Sequence, residues 1–183
     1  MHARLAALGV ASLVSIACWT GPGSLARADT AHEIPQSVRS EHESVLAYLH
    51  VIAAKPTPEG AAAQKVIDLL IPHMAKEEEF IIPPLALLPD LAAGKATPDM
   101  GWAIGMADRV KNEQSALLKI HQGLSDAFIE LLDAAEAAGD EVTVGFTKDL
   151  AADDLGDREV TEPTTILIGT FLRGHLHGHD HDD

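Results

Sequence analysis

His73 and Glu77 stand four residues apart in the run HMAKEEEFIIPPL, so a helix through both presents an imidazole and a carboxylate on one face. Those two donor types together suit a divalent metal ion. They interrupt an apolar line that steps by three or four residues: Val66, Leu70, His73, Glu77, Phe80, Pro84. Three more lines share this pattern. One runs Val38, His42, Val45, Leu49, Ile52, and the next runs Val110, Gln114, Leu117, His121, Leu124, Phe128. The last runs Phe146, Leu150, Asp153, Asp157, Val160, Thr164, Leu167, Phe171. A lone buried histidine is ordinarily satisfied by a hydrogen bond. Four interrupted lines are another matter, because several unpaired buried carboxylates repel one another and each costs several kcal/mol. A coordinated cation removes that cost; the alternative is that the positions face a wet groove and titrate freely. The candidate ligands are His42, His73, Glu77, Gln114, His121, Asp153 and Asp157. Their neighbours Glu78, Glu79, Asp154 and Glu159 fall off the lines and read as solvated surface, as does His50.

These side chains require helices to hold them. The three-four period predicts helices over residues 34–54, 59–88, 100–138 and 142–173, with turn chemistry between them at KPTPEG, Pro89-Asp90, AAGKATPDM and Gly139-Asp140. No segment alternates with period two. Four amphipathic helices and mostly short loops predict an all-α chain folded as an up-down-up-down four-helix bundle. Counting back from the turns puts His42 and His73 at nearly the same depth. On the other side, depth favours His121 over Gln114 as the partner of Asp153 and Asp157.

An internal repeat links the two halves. His73-x-x-x-Glu77 is followed by Pro83, and Asp153-x-x-x-Asp157 by Pro163, each proline ten residues after the first member. Setting Glu41 on Glu113 aligns His42 with Gln114. In the second half Gln114 and Asp153 thus stand where the first has histidines.

The 183 residues suffice for one domain, and 46% hydrophobic with only 4% aromatic content favours helices packed through small aliphatics. A formal charge of −15 makes nucleic acid and anionic membranes poor partners and cations good ones. Residues 1–28 read as a signal peptide: MHAR, the apolar run LAALGVASLVSIACW, then Ala26-Arg27-Ala28 before the cut. Cleavage would remove Cys18, the only cysteine, and two arginines, taking −15 to −17. The expected location is periplasmic or secreted, without membrane insertion after cleavage. The domain then spans 29–173. Residues 174–183 read as a disordered His/Asp tail, with His175, His177, His179 and His181 at alternate positions able to chelate transition metals. No nucleophile motif or phosphate-binding glycine loop occurs.

IPQSVRSEHESVLAYL, HMAKEEEFIIPPL and EVTEPTTILIGTFLRG, with VKNEQSALLKIHQGL between the last two, resemble the hemerythrin-like, or HHE cation-binding, family over essentially the whole mature chain. The resemblance implies a bundle around non-haem iron, mono- or dinuclear, and places His42, His73 and Glu77 on ligand positions. Gln114, Asp153 and Asp157 depart from the family pattern, which turns the site toward harder ions such as manganese. The implied functions are iron handling or response to oxygen, nitric oxide or peroxide, as a metal-binding protein rather than a conventional enzyme. Two alternatives stand beside it: a periplasmic metal buffer or chaperone that uses the tail, and a metal-free degenerate bundle serving as an interaction protein.

Overall fold

The computed structural model describes His32 and residues 34–177, which lie in one compact unit. Residues 1–28, read above as a signal peptide, and His179 and His181 lie outside the described residues. Every regular element among the described residues is helical, and none of these helices is long and apolar enough to cross a membrane.

Helix α1 (Gln36–Ala53) is joined by a short turn to α2 (Pro58–Lys76), whose first turn is set by Pro58 and capped by Thr57, the Gly60 N–H donating to Thr57 Oγ1 at 3.2 Å. After α2 come a π-helical turn, Glu77–Ile81, a 3-10 turn, Pro83–Leu87, and the short helix α3 (Leu88–Ala92). A further 3-10 turn, Pro98–Gly101, leads into α4 (Trp102–Ala138). Gly139 ends α4 at φ 69°, a conformation that costs glycine nothing, and Asp140 caps α5 (Glu141–Gly156) by accepting the Thr143 N–H. A second π turn, Asp157–Thr161, joins α5 to α6 (Glu162–His177). The last helix therefore continues through residues 174–177, into the segment expected as tail.

The two π turns realise the sequence repeat as backbone. Ile82 N–H donates to Glu77 C=O at 2.9 Å, and Glu162 N–H donates to Asp157 C=O, each spanning five residues instead of four. In an α-helix the rings of Pro83 and Pro163 would strike the carbonyls of Glu79 and Glu159 and leave them without a donor. Widening the turn just before each proline relieves that conflict.

Each extra residue also rotates the downstream helix by about 100°. The effect is plain in α6. Its buried line is Glu162, Thr165, Ile168, Gly169 and Leu172. The line expected from uninterrupted three-four stepping is instead turned outward, with Val160 at 63%, Leu167 at 66% and Phe171 at 49% exposure.

Helix α4 packs against α2, α5 and α6, while α1 packs on α2. Gly169 lets α6 approach α4 closely, since a Cβ there would sit 2.2 Å from the Ala107 Cβ. Two apolar clusters flank the central segment of these helices. Leu49, Val66, Leu70, Met74 and Leu124 belong to one, and Phe80, Ile81, Val110 and Leu117 to the other. His73, Glu77 and His121 fall between them along α2 and α4.

Candidate metal centre

Five buried polar side chains and the partly buried Asp157 meet between those clusters. Helix α2 brings His73 and the turn after it Glu77; α4 brings His121; α5 ends with Asp154; and the second π turn places Asp157 and then Glu162 five residues later. His73, Glu77 and Asp157 offer one donor atom each, all within 4.8 Å of one another, and so do His73, His121 and Asp154. Either group could hold a metal ion, and His73 belongs to both.

His73 is 2% exposed, yet neither ring nitrogen has a hydrogen bond. Its Nε2 lies 3.2 Å from Glu77 Oε1 without hydrogen-bond alignment, and its ring meets that of His121 edge-on at 4.8 Å between centroids. A buried polar group without a partner costs about 1–3 kcal/mol, so this imidazole is a candidate ligand.

The remaining groups interact in two sets. His121 is fully buried, with Nδ1 2.8 Å from Asp154 Oδ1 and Nε2 2.8 Å from Glu162 Oε1. Burial pushes its pKa down, but hydrogen bonds to the two carboxylates overcome this and raise it to about 9. It is therefore an imidazolium that donates from both nitrogens. Glu77 and Asp157 share one proton. Burial and the Glu77 charge push Asp157 up to about 8. Glu77 lies below the usual carboxylate range: burial alone would raise it, and His73, Asp157 and His42 outweigh that. His42 stands just outside, with Nε2 3.5 Å from Glu77 Oε2 and Nδ1 2.9 Å from Glu78 Oε1.

Of the candidate ligands, His73, Glu77, His121 and Asp157 thus come together, and His42 adjoins them through Glu77. Two do not join. Gln114 is exposed, because the buried line of α4 passes from Val110 to Leu117 in one seven-residue step; beside it, Glu113 is engaged with Lys76 and Arg109. Asp153 is also exposed: α5 buries Thr147, Leu150 and Asp154, and turns Asp153 to the rim of a cavity. Asp154, expected at the surface, takes the inward position. Glu78 is only half-exposed and holds His42, whereas Glu79 and Glu159 do lie at the surface.

Glu162 was missed altogether. The signal for it was Pro163: a proline that deep in a helical pattern demands a widened turn, which carries the next inward position from 161 to 162.

Imidazole and carboxylate donors in this mixture suit a divalent first-row metal ion. A cavity of about 480 Å³ reaches the donors, with His73, Glu77, Asp154 and Asp157 in its wall. Comparisons with protein-family models, curated proteins and solved structures find no match to this chain.

Proposed function

We propose that this chain is an exported, hemerythrin-like metal-binding protein, an up-down-up-down four-helix bundle that holds non-haem iron. On this reading it handles iron or responds to oxygen, nitric oxide or peroxide; manganese is the competing occupant. The observation that carries it is His73, buried beside three carboxyl groups and a second histidine with both ring nitrogens unsatisfied. A neutral imidazole has a single lone pair for a metal, and His73 is common to both donor groups, which favours one ion over two. His73, His121, Glu77, Asp154 and Asp157 would hold it. A bound ion would supply Lewis acidity and, if iron, a redox centre; the protein supplies a dry pocket and neutralising carboxylates.

Elemental analysis and a visible spectrum of the purified full chain test this, with His73→Ala, Glu77→Gln and Gln114→Ala alongside. About one equivalent of iron is expected in the wild type and in Gln114→Ala, and a loss of at least tenfold in affinity in the other two. A chain that takes up no metal dependent on His73 would refute the reading.

A second reading has one observation in its favour. His121 is hydrogen-bonded to Asp154 and Glu162, and Glu77 shares a proton with Asp157, so each of these groups except His73 has a hydrogen-bond partner without an ion. A metal-free bundle predicts that His73→Ala leaves metal content unchanged and that chelator alters the stability of neither the wild type nor the variant.

A further inference from the structure

The cavity against the candidate metal centre has an asymmetric lining. Its inner wall carries the buried donors, and along its sides are apolar groups of α1 and α5 such as Val45 and Leu150. At its rim Glu41 of α1 and Asp153 of α5 are both exposed, and no lysine or arginine among the described residues lines the cavity. Glu41 and Asp153 thus bring two carboxylates from different helices, α1 and α5, to the lining of one cavity. At the inner end is His73, 2% exposed and without a hydrogen-bond partner at either nitrogen. His42 lies between rim and interior, in contact with partly exposed Glu78 on one side and buried Glu77 on the other.

We propose that Glu41 and Asp153 form a loading port, an acidic mouth that captures a divalent cation from solvent and passes it along the cavity to the buried donors at His73. This rests on the metal-binding reading above and adds the route. A mouth of one charge sign with low-dielectric walls raises the local concentration of counter-ions and their on-rate. The rim carboxylates face water, so a captured ion keeps most of its hydration and stays mobile. The buried donors then take it by exchanging that hydration for His73 and the carboxylates. Port and final site are thereby divided between exposed and buried residues. Glu41 and Asp153 govern the rate of filling, and His73, Glu77 and His121 govern the final occupancy.

Stopped-flow mixing of the chelator-treated full chain with Co(II), followed by visible absorbance, tests the division. His73→Ala and Glu77→Gln serve as blanks, so that only the absorbance they lose is assigned to the buried donors and any uptake by the tail histidines cancels. Folding of each variant is checked by far-UV circular dichroism. The double variant Glu41→Gln/Asp153→Asn should reach the wild-type amplitude about tenfold more slowly at low ionic strength. Near 1 M salt, where screening acts within about 3 Å, the gap should largely close. The control Glu130→Gln/Glu136→Gln removes two carboxylates away from the cavity and should load at close to the wild-type rate. An unchanged loading rate in the rim variant, or an equal slowing in the control, overturns the port while leaving the metal site standing. A reduced final amplitude makes Asp153 or Glu41 a ligand and also overturns it. No absorbance dependent on His73 in the wild type overturns the metal reading, and the port with it.

Discussion

The strongest electrostatic commitment of the metal-free chain is the imidazolium of His121, and it predicts a definite pH dependence of stability. The folded state raises this pKa from 6.5 to about 9, because Asp154 and Glu162 accept hydrogen bonds from both ring nitrogens. A raised folded-state pKa means that the stabilisation is fully present below pH 6.5 and is lost as pH climbs through 9. At 1.36 kcal/mol per pH unit the shift corresponds to about 3 kcal/mol, and to about 2 after allowance for water that reaches the adjoining cavity. Asp157, raised to about 8, titrates in the same direction within the same window. Its contribution is removed by working in an Asp157→Asn background. Urea unfolding of chelator-treated protein at half-unit steps from pH 6 to 9.5 then measures the fall directly. With His121 and Glu162 intact, the unfolding free energy should drop by about 2 kcal/mol. Adding Glu162→Gln should cut that drop to less than half, since one of two carboxylates is gone, and His121→Gln should abolish it. A stability that rises between pH 6.5 and 9 in this background, or a fall that Glu162→Gln leaves unchanged, would refute the buried imidazolium.

The one-residue rotation at the second π turn is checked by a pair of truncations: Leu172→Ala, at a fully buried position, should cost about 2–5 kcal/mol, and Leu167→Ala, at 66% exposure, within about 0.5. Equal losses in thermal or urea denaturation would restore the uninterrupted helical stepping. Gly169→Ala should destabilise by about 1–3 kcal/mol because its Cβ would meet that of Ala107 at 2.2 Å. Ala107→Gly in the same chain should recover part of the loss, and a double-mutant cycle with no coupling would show that α4 and α6 do not touch there.

Helix content and the turns at residues 55–60 and Gly139-Asp140 were legible in the sequence because apolar period and capping residues agree. Pro89-Asp90, expected as a stop, lies instead inside α3, where Pro89 sits in the first turn and needs no N–H donor. His73, Glu77, His121 and Asp157 were legible for the same reason: they lie on the three-four lines before any interruption. Beyond Asp157 the stepping failed. The π turn adds one residue, so Val160, Leu167 and Phe171 face out and Glu162, Thr165 and Leu172 face in. Gln114 and Asp153 failed differently. Each lies close to a buried line in angle, and which of two neighbouring positions is buried depends on where the opposing helix lies. Adjacent aspartates 153 and 154 are about 100° apart, and periodicity alone did not choose between them correctly.

The repeat that relates the halves survives in the backbone far better than in the chemistry. Matching the halves through their prolines pairs His73 with Asp153, Met74 with Asp154, Glu77 with Asp157 and Ile82 with Glu162. The matching of Glu41 with Glu113 pairs His42 with Gln114 and Leu49 with His121. Leu49, Met74 and Ile82 are apolar where the second half has its hydrogen-bonded trio of His121, Asp154 and Glu162. Conversely, His73 is buried where Asp153 is exposed, and His42 is largely buried where Gln114 is exposed. Only Glu77 and Asp157 place a carboxylate inward in both halves, and these two share a proton. Two equivalent metal positions would require each half to repeat its donors. Here each half supplies an imidazole and a carboxylate, but from repeat positions that complement rather than duplicate one another: His73 and His121 have no counterpart histidine, and the donors gather around His73. That complementarity favours a single asymmetric site, open on the side where α1 and α5 carry Glu41 and Asp153.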